Sequence, residues 1–188
     1  GAACVALQSI AQAPEARLKM LERDGLKLLY TLLDRALTPE AAAGAAGAMV
    51  HLGRAAKQNL HKFVQLGGTK LLARVTQDCT NNGALLQLLN LALMMAVNSE
   101  LKIKLIEDGV VRVTLSLLSS KSKLPETLLE LSSAIVAAVA KDRHARSHMI
   151  KMGAVAVLEA VNETYAKNNE NITGDPRRAI NLLISTNE

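Results

Sequence analysis

Apolar residues along the chain fall into short amphipathic stretches that return at a regular interval. Within these stretches the apolar positions are three and four residues apart, which predicts α-helices with one buried face. Four such runs, each rich in Leu or Val, lie at residues 26–33, 71–75, 110–118 and 155–161. Each is preceded by a shorter apolar stretch and followed by another helical stretch, so the pattern predicts three helices per interval.

Four glycines mark the interval. Gly25, Gly67, Gly109 and Gly153 are 42, 42 and 44 residues apart, and each stands between a short first helix and a second helix. Glycine at this place allows a sharp corner between the two. Third helices are predicted over residues 41–55, 84–97, 128–140 and 176–184, and residues 2–13 have the pattern of one more. A fixed period of this length is typical of a helical solenoid, in which neighbouring units share one core.

Two corners carry a family resemblance: Leu66-Gly67-Gly68-Thr69-Lys70-Leu71-Leu72 and Met152-Gly153-Ala154-Val155-Ala156-Val157-Leu158. Both resemble the armadillo repeat, in which a short first helix ends at Gly-Gly or Gly-Ala before a Leu-rich second helix. The resemblance covers nearly the whole chain. It implies an all-α fold, a right-handed α-solenoid of about four three-helix repeats, forming one armadillo-repeat domain over residues 1–188 with corners at the four glycines. HEAT repeats, with two helices per unit, are the alternative, and the glycine before each Leu-rich run favours the armadillo plan.

The ends and the composition refine this prediction. Residues 2–13 lack first and second helices of their own, so we expect the chain to be a segment of a larger protein. The polar stretch 165–174 is predicted to be an inserted loop.

Among 188 residues, 49% are hydrophobic, but there is no Trp and only one Phe, which indicates an aliphatic core. Cys4 and Cys79 have no metal or redox spacing and are predicted to be buried free thiols. They favour a reducing compartment, the cytoplasm with the nucleus as the alternative.

No catalytic constellation stands out along the chain. His144 and His148 are four residues apart and share one helix face, but no acidic or Cys ligand is placed beside them and the surrounding charge is positive. A solvated face is the simpler interpretation. We therefore expect a protein that is not an enzyme, with no catalytic residues, cofactor or metal. No apolar run approaches the length of a membrane span.

The distribution of charged residues along the chain indicates the kind of partner that the protein binds. The net charge is +5, and no acidic residue occurs between Glu40 and Asp78, where five basic residues fall: Arg54, Lys57, Lys62, Lys70 and Arg74. A second basic run covers residues 141–151. Because equivalent positions align in stacked repeats, Arg54 and Lys57 are predicted to share a basic ridge with Lys141, suited to an acidic partner. The alternative is an ordinary solvated spacer between helices. Nucleic acid is not the expected partner, since aromatic stacking platforms are scarce.

The armadillo resemblance also implies a concave groove lined by third helices. In the nuclear-import adaptors of that family, this groove carries a repeated Trp and, four residues later, an Asn that lies sixteen residues before the corner glycine. The Asn positions here are Ser9, His51, Leu93 and Ala137, and the Trp positions are Val5, Gly47, Leu89 and Ser133. The ladder is absent, which speaks against a receptor for basic nuclear-localisation peptides.

The groove is predicted instead to hold an exposed apolar strip through Leu89, Leu93 and Met94, with core packing as the alternative. Small residues over 41–48 indicate either a closely approaching neighbouring helix or a shallow groove floor. The predicted partner-binding residues are His51, Arg54, Lys57, Asn90, Leu93, Val97 and Lys141.

These residues predict a protein–protein interaction scaffold that binds an acidic or amphipathic peptide or helical segment. A chaperone-like armadillo segment of the myosin-chaperone type is one alternative. A structural assembly unit, as in cilia, with self-association through uncapped repeat faces, is the other.

Overall fold

A computed structural model of the chain describes residues 2–120, 124–167 and 175–185. Every regular element in these ranges is helical, which confirms the predicted all-α class. The α-helices are α1 Ala2–Gln12, α2 Pro14–Glu22, α3 Gly25–Asp34, α4 Pro39–Ala55, α5 Lys57–Gln65, α6 Gly68–Asp78, α7 Asn82–Ala96, α8 Lys102–Glu107, α9 Val110–Ser119, α10 Glu126–Ala140, α11 Arg143–Lys151, α12 Ala154–Lys167 and α13 Asp175–Ile184. A short 3-10 helix, Ser99–Leu101, precedes α8. Most of the predicted loop over 165–174 lies outside the described residues, and α12 continues to Lys167.

The helices follow the predicted order of three per repeat. First helices are α2, α5, α8 and α11, second helices are α3, α6, α9 and α12, and third helices are α4, α7, α10 and α13, with α1 as a third helix ahead of them. Each of these four third helices begins one or two residues before its predicted start.

Local chemistry fixes several of the helix starts. The hydroxyl of Thr38 accepts a hydrogen bond from the Ala41 amide at 3.2 Å, and Pro39 follows at the position where a missing amide does no harm. The Asp142 carboxylate caps α11 in the same way, accepting from the Ala145 amide at 2.9 Å. These caps fix the starts of α4 and α11, and the second cap stands directly before the basic residue Arg143.

The corners confirm three of the four predicted glycines. Gly67, Gly109 and Gly153 have positive φ angles of 84°, 87° and 77°, the left-handed conformation that favours glycine. In the first repeat the left-handed residue is Asp24, with φ 53°, so the corner predicted at Gly25 is wrong by one position. Gly25 is the first residue of α3, and a Cβ there would lie 2.5 Å from the main-chain oxygen of Met20. Glycine is therefore needed for close packing, while Asp is among the few residues that tolerate the left-handed corner.

The chain forms two compact units, Gly1–Met95 and Ala96–Glu188. In the first unit, residues 44–50 of α4 are all buried. A Cβ on Gly47 would lie 2.5 Å from Cδ of Gln8 on α1, so the small residues of α4 let a neighbouring helix come close. This confirms the packing interpretation. The alternative interpretation, a groove floor open at Gly47, is wrong because the side chain of Gln8 covers this position.

In the second unit, α10 is the central helix and packs against α9, α11 and α13. Its residues Ile135, Val136 and Val139 have no exposed surface. The assignment of residues 1–188 to a single domain stays a prediction.

Candidate partner-binding surface

One face of α7 remains accessible along its length. Half-buried side chains recur with helical spacing: Leu86, Gln87, Asn90, Leu93 and Met94. The predicted residues Asn90 and Leu93 therefore lie on the accessible face. Leu89 was predicted to belong to the same exposed strip, and this is wrong, because its side chain is buried in the core.

The end of α4 meets α7 on this face. Gly53 is buried, and a Cβ there would lie 2.6 Å from Sδ of Met94 and 2.6 Å from Cδ2 of Leu60. Arg54, the next residue, is exposed. The close contact at Gly53 thus brings the exposed basic end of α4 to the half-buried apolar stripe of α7.

His51 lies one turn before Arg54 and is half-buried. Burial lowers the pKa of its imidazole below the ordinary value of 6.5, and the positive charges of Arg54 and Arg17 lower it further. Arg17 comes from α2, where its Nη1 donates to the main-chain oxygens of Ala11 at 3.2 Å and Gln12 at 2.9 Å. Arg17 of α2 and Arg54 of α4 therefore both lie near enough to His51 for their charges to act on its imidazole.

Arg17 was not among the residues predicted for this surface. With the first corner at Asp24, Arg17 stands seven residues before a corner, as do Lys102 before Gly109 and Arg146 before Gly153. A basic residue thus recurs at this position in three repeats, but counted from the predicted corner at Gly25 the position falls on Leu18, so the recurrence appears only once the corner is placed at Asp24.

Lys57 is exposed at the first position of α5, three residues beyond Arg54. The link between α4 and α5 is tied down by the buried Asn59, whose Nδ2 donates to the Leu52 main-chain oxygen at 2.8 Å. The two cations Arg54 and Lys57 thus flank a short, fixed connection.

Val97 and Lys141, the remaining predicted contacts, belong to the second unit and are both exposed. Lys102, in the same unit, is buried, and its pKa is lowered by burial; the Asp142 carboxylate opposes this shift and Lys141 adds to it. The ridge predicted to join Arg54 and Lys57 to Lys141 spans both units and stays a prediction.

The corrected corner also shifts the groove positions of the first repeat. Sixteen residues before Asp24 lies Gln8 rather than the predicted Ser9, and Cys4 replaces Val5. The predicted groove residue Ala137 is buried. Neither shift introduces a Trp or an Asn, so the import-adaptor ladder remains absent.

His148 and Cys79, considered above for metal or redox chemistry, form local hydrogen bonds. Nδ1 of His148 lies 3.0 Å from the main-chain oxygen of His144, so this ring is engaged by its own helix. Among the described residues, no three His, Cys, Asp or Glu side chains group to hold a metal. Cys79 is half-buried rather than buried, and its Sγ donates to the Asn81 oxygen at 3.6 Å. The side chain of Cys4 lies outside the described set.

Helix length and composition bear on whether the chain could cross a membrane. Across the described ranges, no single helix is long and apolar enough to cross a membrane. One bent pair, Asn82–Ala96 with Ser99–Glu107, reaches that length and composition only when its two members are taken together.

Comparison with known proteins bears on the fold. No protein-family model matches the sequence. No curated protein matches it. Solved structures do match: designed armadillo repeat proteins for modular peptide recognition are 22% identical over 97% of this chain and 73% of theirs, with a TM-score of 0.76. The chain has the armadillo-repeat fold.

Two further armadillo structures agree. A designed armadillo repeat protein in complex with the peptide (KR)4 is 21% identical over 97% of this chain and 73% of its own, with a TM-score of 0.74. Another design is 19% identical over 97% of this chain and 92% of its own, with a TM-score of 0.71. At these identities the likeness carries the armadillo fold alone, so function must be argued from the residues of this chain.

Proposed function

We propose that this armadillo-repeat protein is a non-enzymatic scaffold that binds an acidic, partly apolar protein segment on the accessible faces of α4 and α7. One observation carries the proposal: the exposed cations Arg54 and Lys57 lie where the end of α4 packs against the apolar stripe of α7, at the close approach of Gly53 to Met94. A basic cluster beside a half-buried aliphatic stripe suits a segment with carboxylates and aliphatic side chains.

Charge supports an acidic partner. No acidic residue interrupts the chain between Glu40 and Asp78, and Arg74 in that interval is already paired with Asp34 at 2.6 Å. The designed relative described above was solved with a basic peptide, (KR)4. Here the import-adaptor ladder is missing and the local charge is positive, so a basic peptide would be repelled and an acidic one attracted.

Affinity and rate would come from different residues of the surface. Leu93 and Met94 have apolar area left to bury, at about 25 cal/mol for each Å² removed from water. Arg54 and Lys57 are exposed, so they would mainly steer association, and salt should weaken their effect. In the second unit, Val97 and Lys141 are the residues proposed to extend the surface. The free thiol of Cys79 fits a reducing compartment, and we propose the cytoplasm.

A charge-reversal pair tests the proposal. Arg54→Glu with Lys57→Glu is compared with Lys62→Glu with Lys70→Glu, which makes the same change in net charge at exposed positions of α5 and α6. Peptide pools rich in Asp, Glu and Leu, and matched pools with Lys in place of the acids, are screened for binding to each protein. We expect the acidic pool to bind the unaltered protein and the Lys62/Lys70 control, and to lose at least tenfold in affinity for the Arg54/Lys57 variant.

Equal losses in both variants would show only a response to net charge and would contradict the proposed surface. Preference for the Lys-rich pool would overturn the acidic partner. Capture of many unfolded proteins without sequence preference would favour the chaperone alternative, and concentration-dependent self-association without peptide binding would favour the assembly unit.

A further inference from the structure

The first unit contains a pocket at the opposite end of α4 from Arg54. It lies where α3 and α6 end and α4 begins, and its volume is about 260 Å³. Its lining comes from residues 33–80 of two successive repeats, so it is a crevice between repeats and not the outer face of a terminal one. We propose that this pocket binds an arginine side chain of a partner protein, with aliphatic residues next to that arginine in the partner's sequence.

The walls of the pocket are largely aliphatic. Leu33 is buried, Val75 is half-buried and Pro39 is exposed, so apolar surface continues from the interior to the opening. The volume is below the about 300 Å³ at which pockets for small molecules begin, and it suits a single side chain. The methylene groups of an arginine can pack along such walls while its charged end reaches a polar group.

One carboxylate of the pocket has no partner. Asp78, the last residue of α6, is exposed, and its carboxylate forms no hydrogen bond or ion pair with the other described residues. Arg74 stands four residues earlier on the same helix, but its Nη2 pairs with Oδ1 of Asp34 at 2.6 Å. A cation that precedes its acid at this spacing is the weaker order of such a pair. Two carboxylates and one guanidinium therefore line the pocket and leave one negative charge, on Asp78.

The main chain adds to this negative charge. Both α3 and α6 end at the pocket, and the last turn of a helix carries roughly half a negative charge on its carbonyl oxygens. The amides of Arg35 and Ala36 donate back to the last turn of α3. Among the described residues, no amide after Asp78 does the same for α6. The end of α6 therefore offers main-chain oxygens beside the unpaired carboxylate.

The start of α4, which also lines the pocket, does not offset this charge. Pro39 has no amide hydrogen, and the Ala41 amide donates to the hydroxyl of Thr38 at 3.2 Å. Glu40 lies in the first turn of α4, where a carboxylate compensates the positive end of the helix. The pocket therefore favours a cation.

The end of α3 shows how a guanidinium binds at such a place. Nη2 of Arg74 lies 2.6 Å from Oδ1 of Asp34 and 3.5 Å from the main-chain oxygen of the same residue. Asp78 presents the same two kinds of group at the end of α6. A planar guanidinium can meet a carboxylate and a carbonyl together. A metal ion would lack ligands, because no three His, Cys, Asp or Glu side chains in the described part of the chain group to hold one.

Peptide binding to the full chain tests the proposal. The probe is a fluorescein-labelled peptide, Gly-Leu-Arg-Leu-Gly, and the control peptide has citrulline, which keeps the shape of arginine without its charge. The proteins compared by fluorescence anisotropy are the unaltered chain, Asp78→Lys and Glu159→Lys. The last makes the same change in net charge at an exposed position of α12. Circular dichroism verifies that each variant folds, and a lysine at the exposed end of α6 suits the helix dipole.

Cys79 reports whether the same pocket is occupied. Its half-buried thiol lines the pocket beside Asp78. A bound peptide should therefore slow the alkylation of Cys79 by iodoacetamide, which mass spectrometry of the peptide that contains Cys79 measures.

We expect the arginine peptide to bind the unaltered chain and the Glu159 variant equally and to lose at least fivefold in affinity for the Asp78 variant. The citrulline peptide should bind at least fivefold more weakly, and a saturating amount of the arginine peptide should slow the alkylation of Cys79 at least twofold. Absence of binding, equal affinity for the two variants, or equal affinity of the two peptides would overturn the inference.

An unchanged alkylation rate with bound peptide would also overturn it, because the peptide would then lie elsewhere. Protection of Cys79 that rises with protein concentration in the absence of peptide would make a second copy of the chain the occupant and would overturn it as well. The result is separate from the proposed function, since Asp78→Lys leaves Arg54 and Lys57 in place and should not weaken binding of the acidic peptide pool.

Discussion

Leu28 and Leu71 occupy the same place in successive repeats but differ in burial, and this difference predicts unequal costs of truncation. Both stand four residues after a corner, at Asp24 and Gly67, as Val113 does after Gly109. Leu71 is 4% and Val113 is 8% exposed, whereas Leu28 is 49% exposed. In a stack of repeats, each interior unit buries residues against its neighbours.

The expected magnitudes follow from these exposures. Leu71→Ala removes a buried side chain and leaves a cavity, which costs roughly 3 kcal/mol. Leu28→Ala gives up only about half the burial and encloses no cavity, so we expect roughly 1 kcal/mol. Both changes replace Leu by Ala in a second helix, so the small gain in helix propensity cancels in the comparison.

Urea titration followed by helical circular dichroism measures both losses under one set of conditions. We expect the unfolding midpoint of the Leu71 variant to fall well below that of the Leu28 variant, with similar slopes. Equal midpoints would refute the argument, because they would mean that Leu28 is covered as fully as Leu71 in solution or that the two positions are not equivalent. If the slope of unfolding free energy against urea changed in one variant, this would indicate that a different part of the chain unfolds cooperatively, and not that burial of the leucine differs.

Three further predictions concern the corners, one histidine and two serines. Gly25→Ala should destabilise the protein by about 1–3 kcal/mol because its Cβ meets a main-chain oxygen, and truncating Met20 should not rescue it; a neutral variant in thermal unfolding would contradict the close approach. Because the pKa of His51 is lowered in the folded protein, the unfolded chain binds more protons just below pH 6.5, so the stability that the neutral His51 contributes is complete above that pH and is lost as the pH falls. His51→Asn should therefore flatten the pH dependence of the urea midpoint. An unchanged pH dependence in this variant would contradict the argument. Ser132→Ala and Ser133→Ala should each leave stability unchanged or raise it by up to about 1 kcal/mol, since both hydroxyls are buried without a hydrogen-bond partner among the described residues. A clear loss of stability on denaturation would reveal a hydrogen bond, such as one to buried water.

The helices and their order were predictable because each helix carries its own local signal. Apolar spacing, Pro39 at the start of α4 and glycine at three corners all act over a few residues, and the structure agrees with them closely. The corner of the first repeat was placed one residue late for a physical reason. Asp24 and Gly25 are adjacent, and only the packing of α3 against Met20 shows that the glycine serves close contact while Asp24 takes the left-handed turn.

The candidate surface was predicted less completely. The accessible positions of Asn90 and Leu93 follow from one face of α7, but Leu89 also fits an apolar strip by spacing, and only tertiary packing buries it. Arg17 is distant in sequence from His51 and Arg54, and the folding of α2 beside α4 brings their charges together.

The sequence by itself determined the all-helical class, the three-helix repeat and the basic balance of the chain, because periodicity, glycine corners and charge are properties of neighbouring residues. The tertiary structure decided which member of each apolar set is buried, which residue turns each corner, and where the basic side chains meet the apolar ones. Those outcomes depend on contacts between residues far apart in the chain, such as Gln8 over Gly47 and Met94 against Gly53. No local pattern encodes them.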